Sequence, residues 1–336
     1  MTYFEDLYPT RTKERIEPFA RPDPVVYGHP ASYGKGPLRP DEVRSFEENG
    51  FFFLESFLTE SEVNGFLKDL DGYTKDPAIK QREETVTEKY TGEIRSIFAI
   101  HKLSERFDRL SRDPRLLDIA QQLLGSDVYI HQSRINDKPA FRGSGFNWHS
   151  DFETWHAEDG MPRPRCISFS ITLTENNDFN GPLMLIPGSH KTFVPCTGIT
   201  PPKNWEESLK SQTLGVPAEK DLRALARKGG IVAPRGPAGS LVIFESNTLH
   251  ASANNLSPYP RRNLFFVCNS VENKPVAPFC GNAPRPDYLA TRKNIEPLRP
   301  VIETPGVAAH QRQAYEQRHG QGHFMKEPAA AQMSRQ

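Results

Sequence analysis

Apolar positions along this chain change rhythm near Gly125: before it they recur at helical spacing between capping signals, and from Val128 onward they form short runs cut by Gly, Pro and Asn. Pro40 to Asn49 reads as a helix stopped by Gly50, and Phe51-Phe52-Phe53-Leu54 reads as the strand after it. Thr59-Glu60-Ser61-Glu62 is a capping box opening a helix through Leu70; Asp113-Pro114-Arg115 opens another that ends at Gly125. The clearest later run is Ile167-Ser168-Phe169-Ser170-Ile171-Thr172-Leu173-Thr174, where apolar and hydroxyl side chains alternate strictly. One of its faces should pack, leaving the other to water or a ligand. Leu183 to Pro187, Gly239 to Phe244 and Asn263 to Asn269 read as further strands. Together these elements predict a mainly β fold with flanking helices, its core a double-stranded β-helix of the jelly-roll, cupin-like kind.

The rhythm also sets the domain organisation. Residues 1–38 are rich in proline and arginine without periodicity and predict an extended N-terminal arm lying over the surface of a single domain, 39–300. Within that domain, residues 203–235 form a polar, helix-prone insertion that either covers the mouth of the barrel as a lid or is a passive excursion. Residues 301–336, rich in Gln, Ala and His without an apolar stripe, predict a disordered tail. Its histidines, His310, His319 and His323, have no neighbouring element to hold them around a metal.

One stretch stands out chemically. Phe146-Asn147-Trp148-His149-Ser150-Asp151 sets an imidazole and a carboxylate two residues apart, the spacing at which strand residues share a face. His250 lies far downstream, at the end of the apolar run that Gly239 opens, so a second strand would deliver it to the same place. Two histidines and one carboxylate can occupy one face of an octahedral iron(II), leaving positions open for a cosubstrate and dioxygen. A 2-oxo acid cosubstrate needs an anchor. Arg261 and Arg262 start the strand after His250, where one guanidinium could grip a carboxylate while the other faces outward.

Composition narrows the partners. In 336 residues, 42 Lys and Arg balance 42 Asp and Glu, so no electrostatic case exists for nucleic acid or an anionic membrane surface, and a small-molecule substrate is expected. No apolar run is long enough to span a bilayer and no signal-peptide pattern opens the chain, which points to a cytoplasmic protein. The four cysteines form no CxxC pair, so reduced thiols are expected. An exposed sheet edge or the proline-rich arm could support a homodimer.

The residues from Phe146 through Trp155-His156 to Glu158-Asp159-Gly160-Met161-Pro162 resemble the signature of the ectoine hydroxylases, within the iron(II)- and 2-oxoglutarate-dependent dioxygenase superfamily. The resemblance continues through Asn180-Gly181-Pro182-Leu183-Met184-Leu185-Ile186-Pro187-Gly188-Ser189-His190, Gly236-Pro237-Ala238-Gly239-Ser240, Pro278-Phe279 and Pro284-Arg285-Pro286. It implies iron ligands at His149, Asp151 and His250, with the distal carboxylate of 2-oxoglutarate on Arg261 and a hydroxyl contact from Ser252. Phe98 and Asn136 would complete the cosubstrate pocket. Gln132, Trp155 and Arg285 would contact ectoine, a small zwitterion whose amidinium suits an aromatic face and whose carboxylate suits an arginine. The chain departs from the family at Pro164, within Arg163-Pro164-Arg165-Cys166, and in the tail.

The implied activity is hydroxylation of ectoine to 5-hydroxyectoine with release of succinate and carbon dioxide. Two alternatives stay open on sequence alone. The same chemistry could serve another small molecule, such as an imino acid, or the site could belong to a non-catalytic cupin-like metal-binding protein without need of Arg261 or Ser252.

Overall fold

In the computed structural model, residues 5–30 and 36–301 are described. The expectations for the tail and its three histidines lie outside the described residues. The chain starts with a short strand, β1 (Phe19–Ala20), and then helix α1 (Pro40–Asn49), where Pro40 presets the first turn and Gly50, at φ 82°, takes the left-handed conformation that ends it. Strand β2 (Phe51–Leu54) follows directly. Helix α2 (Glu60–Lys75) opens on the expected capping box: Thr59 Oγ1 accepts from the Glu62 amide at 3.3 Å and the Glu62 carboxylate accepts from the Thr59 amide at 2.7 Å. It runs past Leu70, the end expected from sequence. Next come α3 (Pro77–Lys80), β3 (Thr85–Thr87), β4 (Ile94–Phe98), α4 (Glu105–Ser111) and α5 (Pro114–Leu124), the last capped by Asp113 and closed by Gly125.

Beyond Gly125 strands dominate: β5 (Val128–Lys138), β6 (Phe146–His149), β7 (Cys166–Thr172), β8 (Leu183–Leu185), β9 (Thr192–Phe193), β10 (Leu241–Glu245), β11 (His250–Ser252) and β12 (Arg261–Ser270). Helix α6 (Asp151–Asp159) follows β6, and α7 (Trp205–Ser208) and α8 (Glu219–Gly229) lie in the insertion. The strands form an antiparallel seven-stranded sheet in the order β2-β10-β7-β12-β5-β4-β3, a three-stranded sheet β6-β11-β8 and the pair β1-β9. This is the double-stranded β-helix.

Register sorts the large sheet into two chemical faces. Arg261, Asn263, Phe265 and Val267 on β12 stand opposite Lys138, Asn136, Arg134 and Gln132 on β5; on the other side Asn263, Phe265 and Val267 meet Thr172, Ser170 and Ser168 of β7. Directly paired residues share a face, so the polar side chains gather on one side. The reverse side carries Ile135, Leu264 and Ile171, behind which α5 packs. The hydroxyl face of β7, expected to meet water or a ligand, is buried and not turned to bulk water, because β10 and β12 flank it and both sheet faces are covered.

Two peripheral segments turn out to be structural. The N-terminal arm does not merely lie over the surface: Tyr8 is fully buried, packing against Phe152 and Phe193 with its hydroxyl donating to Asp23, and β1 pairs with β9. The insertion carries α7 and α8 and is anchored at both ends, with Trp205 and Leu209 against Phe98 and Leu289, and Leu222, Leu225 and Ala226 against Ile186, Val194 and Leu249. If Tyr8 belongs to the core, Tyr8→Ala should cost roughly 3–5 kcal/mol, as for other large buried aromatics. Urea unfolding checks it; a loss below about 1 kcal/mol, the range of surface substitutions, would return the arm to the surface.

Candidate metal and cosubstrate site

Strand β6 ends at His149, and the chain turns at once into α6, whose first residue is Asp151. The sequence reading placed both ligands on one strand; the carboxylate actually comes from the first helical turn. Ser150 makes that turn by capping the helix and donating to Asn247 Oδ1 at 3.1 Å, while the Phe152 amide donates to Ser246 O at 2.9 Å. His250 likewise does not end the run from Gly239. That run is β10, and after a turn His250 opens β11 in the other sheet. There it stands directly opposite His149, with the rings 4.2 Å apart between centroids.

The three side chains converge. His149 Nε2 lies 3.7 Å from Asp151 Oδ1 and His250 Nε2 lies 3.8 Å from Asp151 Oδ2, with the three ligand atoms all within 4.8 Å of one another. These separations are too long for hydrogen bonds. The remaining ring nitrogens are occupied: His149 Nδ1 is 2.7 Å from Asn147 O, and His250 Nδ1 is 3.0 Å from Thr248 O. A carbonyl only accepts, so each Nδ1 carries the hydrogen and each Nε2 turns its lone pair to the shared space. Burial, with His250 nearby, pushes His149 down to about 4, which keeps the ring neutral and able to ligate. Burial alone would raise the Asp151 carboxyl, but His250, Arg134 and His149 outweigh it and hold it below the usual range. A buried two-histidine, one-carboxylate set fits a non-heme iron(II).

The polar face of the large sheet has a cationic end. Arg261 is buried and faces inward, while Arg262 faces out to Asp71 at 2.7 Å and Asp137 at 3.3 Å, as alternation along a strand requires. Arg261 Nη2 donates to Gly181 O at 3.0 Å, and its Nε has no partner. Ser252, two residues after His250, and Asn136, which accepts from Ser96 Oγ at 2.9 Å, border this region, with Phe98 on the same face. The sequence reading missed Lys138. Its Nζ is buried and donates to Ser252 Oγ at 2.8 Å and to Ala253 O, and Lys138 is the cross-strand partner of Arg261. Burial, Arg261 and Arg95 push Lys138 down to about 5, against a raising influence from Glu88. Its even spacing from Gln132 and Asn136 on one strand was the available signal. Beside it, a cavity of about 340 Å³ runs from Ser252, Phe146 and Arg95 outward to Lys89 and Lys210.

Of the residues implied for substrate, Gln132 lies on β5, Trp155 in the middle of α6 and Arg285 beside Asp159 at its end. Gln132 donates to Leu289 O at 2.6 Å and accepts from Arg134, a second buried cation that the sequence reading missed. Trp155 is buried with its ring edge-on to His131 at 5.0 Å. Arg285 gives Nε and Nη2 to Asp159 at 2.7 and 2.5 Å, so its two-pronged edge is already filled.

A family model described as phytanoyl-CoA dioxygenase (PhyH) matches residues 46–263. The curated "Ectoine dioxygenase" of Bordetella bronchiseptica is 50% identical over 299 residues, covering 88% of this chain and 96% of that protein. Crystal structures of EctD from S. alaskensis are 42% identical and cover 88% of this chain and 98% of that one. The one with 2-oxoglutarate and 5-hydroxyectoine superposes at TM-score 0.77, and the one with bound Fe at 0.76.

Alanine at His149, Asp151 or His250 should each weaken metal binding by more than the roughly 100-fold that loss of an outer partner can cost. Anaerobic titration with iron(II), read beside the thermal midpoint of the metal-free protein, checks this; normal affinity in any variant would strike that residue from the set.

Proposed function

Because the chain belongs to the phytanoyl-CoA dioxygenase family, among the ectoine dioxygenases, we propose that it hydroxylates ectoine to 5-hydroxyectoine with iron(II), 2-oxoglutarate and dioxygen, releasing succinate and carbon dioxide. The observation that carries the reading is the convergence of His149, Asp151 and His250 in a chain so close to those relatives. Bound there, iron(II) would couple decarboxylation of 2-oxoglutarate to insertion of one oxygen atom into a ring carbon–hydrogen bond.

The protein's own residues bind, orient and shield. Arg261 takes the distal carboxylate of 2-oxoglutarate, with Lys138 and Ser252 beside it and Asn136 and Phe98 lining the pocket; among the described residues, Arg261 Nε has no hydrogen-bond partner and Lys138 Nζ bonds only to a hydroxyl and a carbonyl, which supports this. Gln132 and Trp155 face ectoine, and Arg285, held by Asp159 through two nitrogens, meets the substrate carboxylate with the third. Leu183, Leu185, Val242, Phe244 and Phe265 form an apolar wall in which Phe244 lies 4.9 Å from His250, and such a wall keeps water from the reacting atoms. The location we propose is cytoplasmic: no helix of the described residues is long and apolar enough to cross a membrane, and all four cysteines are free.

Incubation of iron(II)-loaded protein with ectoine, 2-oxoglutarate and oxygen should yield one succinate per product heavier by one oxygen atom. Succinate without hydroxylated ectoine would move the substrate to another small molecule. Arg261→Ala should raise the 2-oxoglutarate requirement on the order of 100-fold, the scale of losing a buried charge-assisted pair, whereas Arg262→Ala should leave it nearly unchanged. The reverse ranking would exchange their roles.

Lys138 adds a pH dependence. Neutral at pH 7 without ligand, it faces Arg261, Arg95 and Glu88, and a dianion beside it raises its pKa. Cosubstrate binding therefore takes up a proton, and affinity is greatest below about 5 and falls as pH rises through the ligand-bound value. Calorimetry in two buffers of different ionisation enthalpy reads the uptake directly; identical heats would contradict it.

A further inference from the structure

We propose that Arg11 is a positioning residue for the metal site: residues 6–11 grip the helix that carries Asp151, and Arg11 holds it in the register where Asp151 faces both histidines. The proposal rests on reading His149, Asp151 and His250 as the ligands.

Helix α6 has nine residues, too few to be stable alone, so its position is set by whatever packs on it. One side is held by the turn at Ser246 and Asn247. Another is held by the N-terminal segment, at every turn of the helix. Tyr8 meets Phe152 edge-on at 4.9 Å, and Asp6 Oδ1 lies 3.0 Å from His156 Nε2. Thr10 Oγ1 donates to Glu153 Oε1 at 2.7 Å, and Arg11 donates from Nε and Nη2 to the two Glu153 oxygens at 2.6 and 2.8 Å. Arg11 Nη1 then reaches Glu158 Oε1 at 3.2 Å and Thr200 Oγ1 at 3.1 Å. Glu158 also accepts from Asn204 at 2.8 Å, which ties the insertion to the same hub.

Glu153 is two residues from Asp151, in the same first turn, so contacts that anchor Glu153 also anchor the backbone that presents the ligand. Both side chains of the Arg11–Glu153 pair are 1% exposed. A buried carboxylate is tolerated when paired and hydrogen-bonded, and is strongly unfavourable when its partner is removed. Without Arg11, Glu153 and Glu158 would be two buried like charges near one another, and the relief open to them is for the helix to shift until water reaches them. Arg11 itself sits at φ 56°, a conformation uncommon outside glycine, which surrounding structure must impose. Its amide donates to Cys196 O at 2.8 Å, fixing the backbone from which the guanidinium reaches in.

The test compares Mn(II) affinity with thermal midpoint for Arg11→Gln, Arg11→Lys, Thr10→Val and, as a reference for ligand loss, His149→Ala. Arg11→Gln should weaken Mn(II) binding about 10–100-fold, the scale of lost outer partners, and Arg11→Lys, which keeps the charge but not the fork, should recover part of that. Thr10→Val, which removes one of the hydrogen bonds to Glu153, should weaken binding by a smaller factor and lower the midpoint less than Arg11→Gln. Unchanged Mn(II) affinity in folded Arg11→Gln and in Thr10→Val overturns the proposal even if the midpoint falls; where Arg11→Gln does not fold, Thr10→Val decides. Unchanged affinity in His149→Ala would instead place the failure in the ligand assignment itself.

Discussion

The antiparallel pairing of β6 with β11, in the register that sets His250 opposite His149, is the contact on which the rest of the site depends. A shift by one residue on either strand would turn one imidazole to the other face of the sheet. Three features pin it. β8 pairs with β11 from the other side, with His250 against Leu185; both Nδ1 atoms are tied to backbone carbonyls two residues back; and a bulge between His250 and Ser252 fixes where the ladder breaks. With the histidines placed, the turn through Ser150 leads the chain from His149 directly to Asp151.

Charge is distributed to match. The polar face of the large sheet buries Arg134, Lys138 and Arg261, with Arg95 close by and Glu88 the carboxylate paired to it at 3.0 Å. Unpaired buried cations are costly, and burial lowers Lys138, Arg134, Arg95 and Arg261 alike. An anion beside these groups would offset that cost, which is the physical basis of the proposed carboxylate contact. The candidate metal ligands thus come from the small sheet and helix α6, and the buried positive charge from the inner face of the large sheet.

Much of this was legible in the sequence where local signals carry it. The capping box at Thr59, the glycine stops at Gly50 and Gly125, and the opposed orientations of Arg261 and Arg262 follow from chemistry within a few residues. The fold class followed from the change of rhythm at Val128. What escaped depends on distant partners. Asp151 looked like a strand residue because HxD spacing says nothing of Ser150 as a cap, and the caps' partners, Ser246 and Asn247, come from a remote turn. His250 looked like the end of β10 because the turn before it is itself buried. Tyr8 and Arg11 sit in a stretch without periodicity, and only the folded chain brings them to Phe152 and Glu153. Lys138 went unnoticed because its burial depends on a contact with Ser252, more than a hundred residues away in sequence.

The central claim, that His149, Asp151 and His250 hold one ion through Nε2, carboxylate and Nε2, is tested most directly by anomalous diffraction from crystals grown with Mn(II) in place of iron. A single anomalous peak bounded by those three atoms, with both Nδ1 atoms still on Asn147 O and Thr248 O, is the predicted result. A peak elsewhere, or an imidazole turned to bind through Nδ1, would contradict the account.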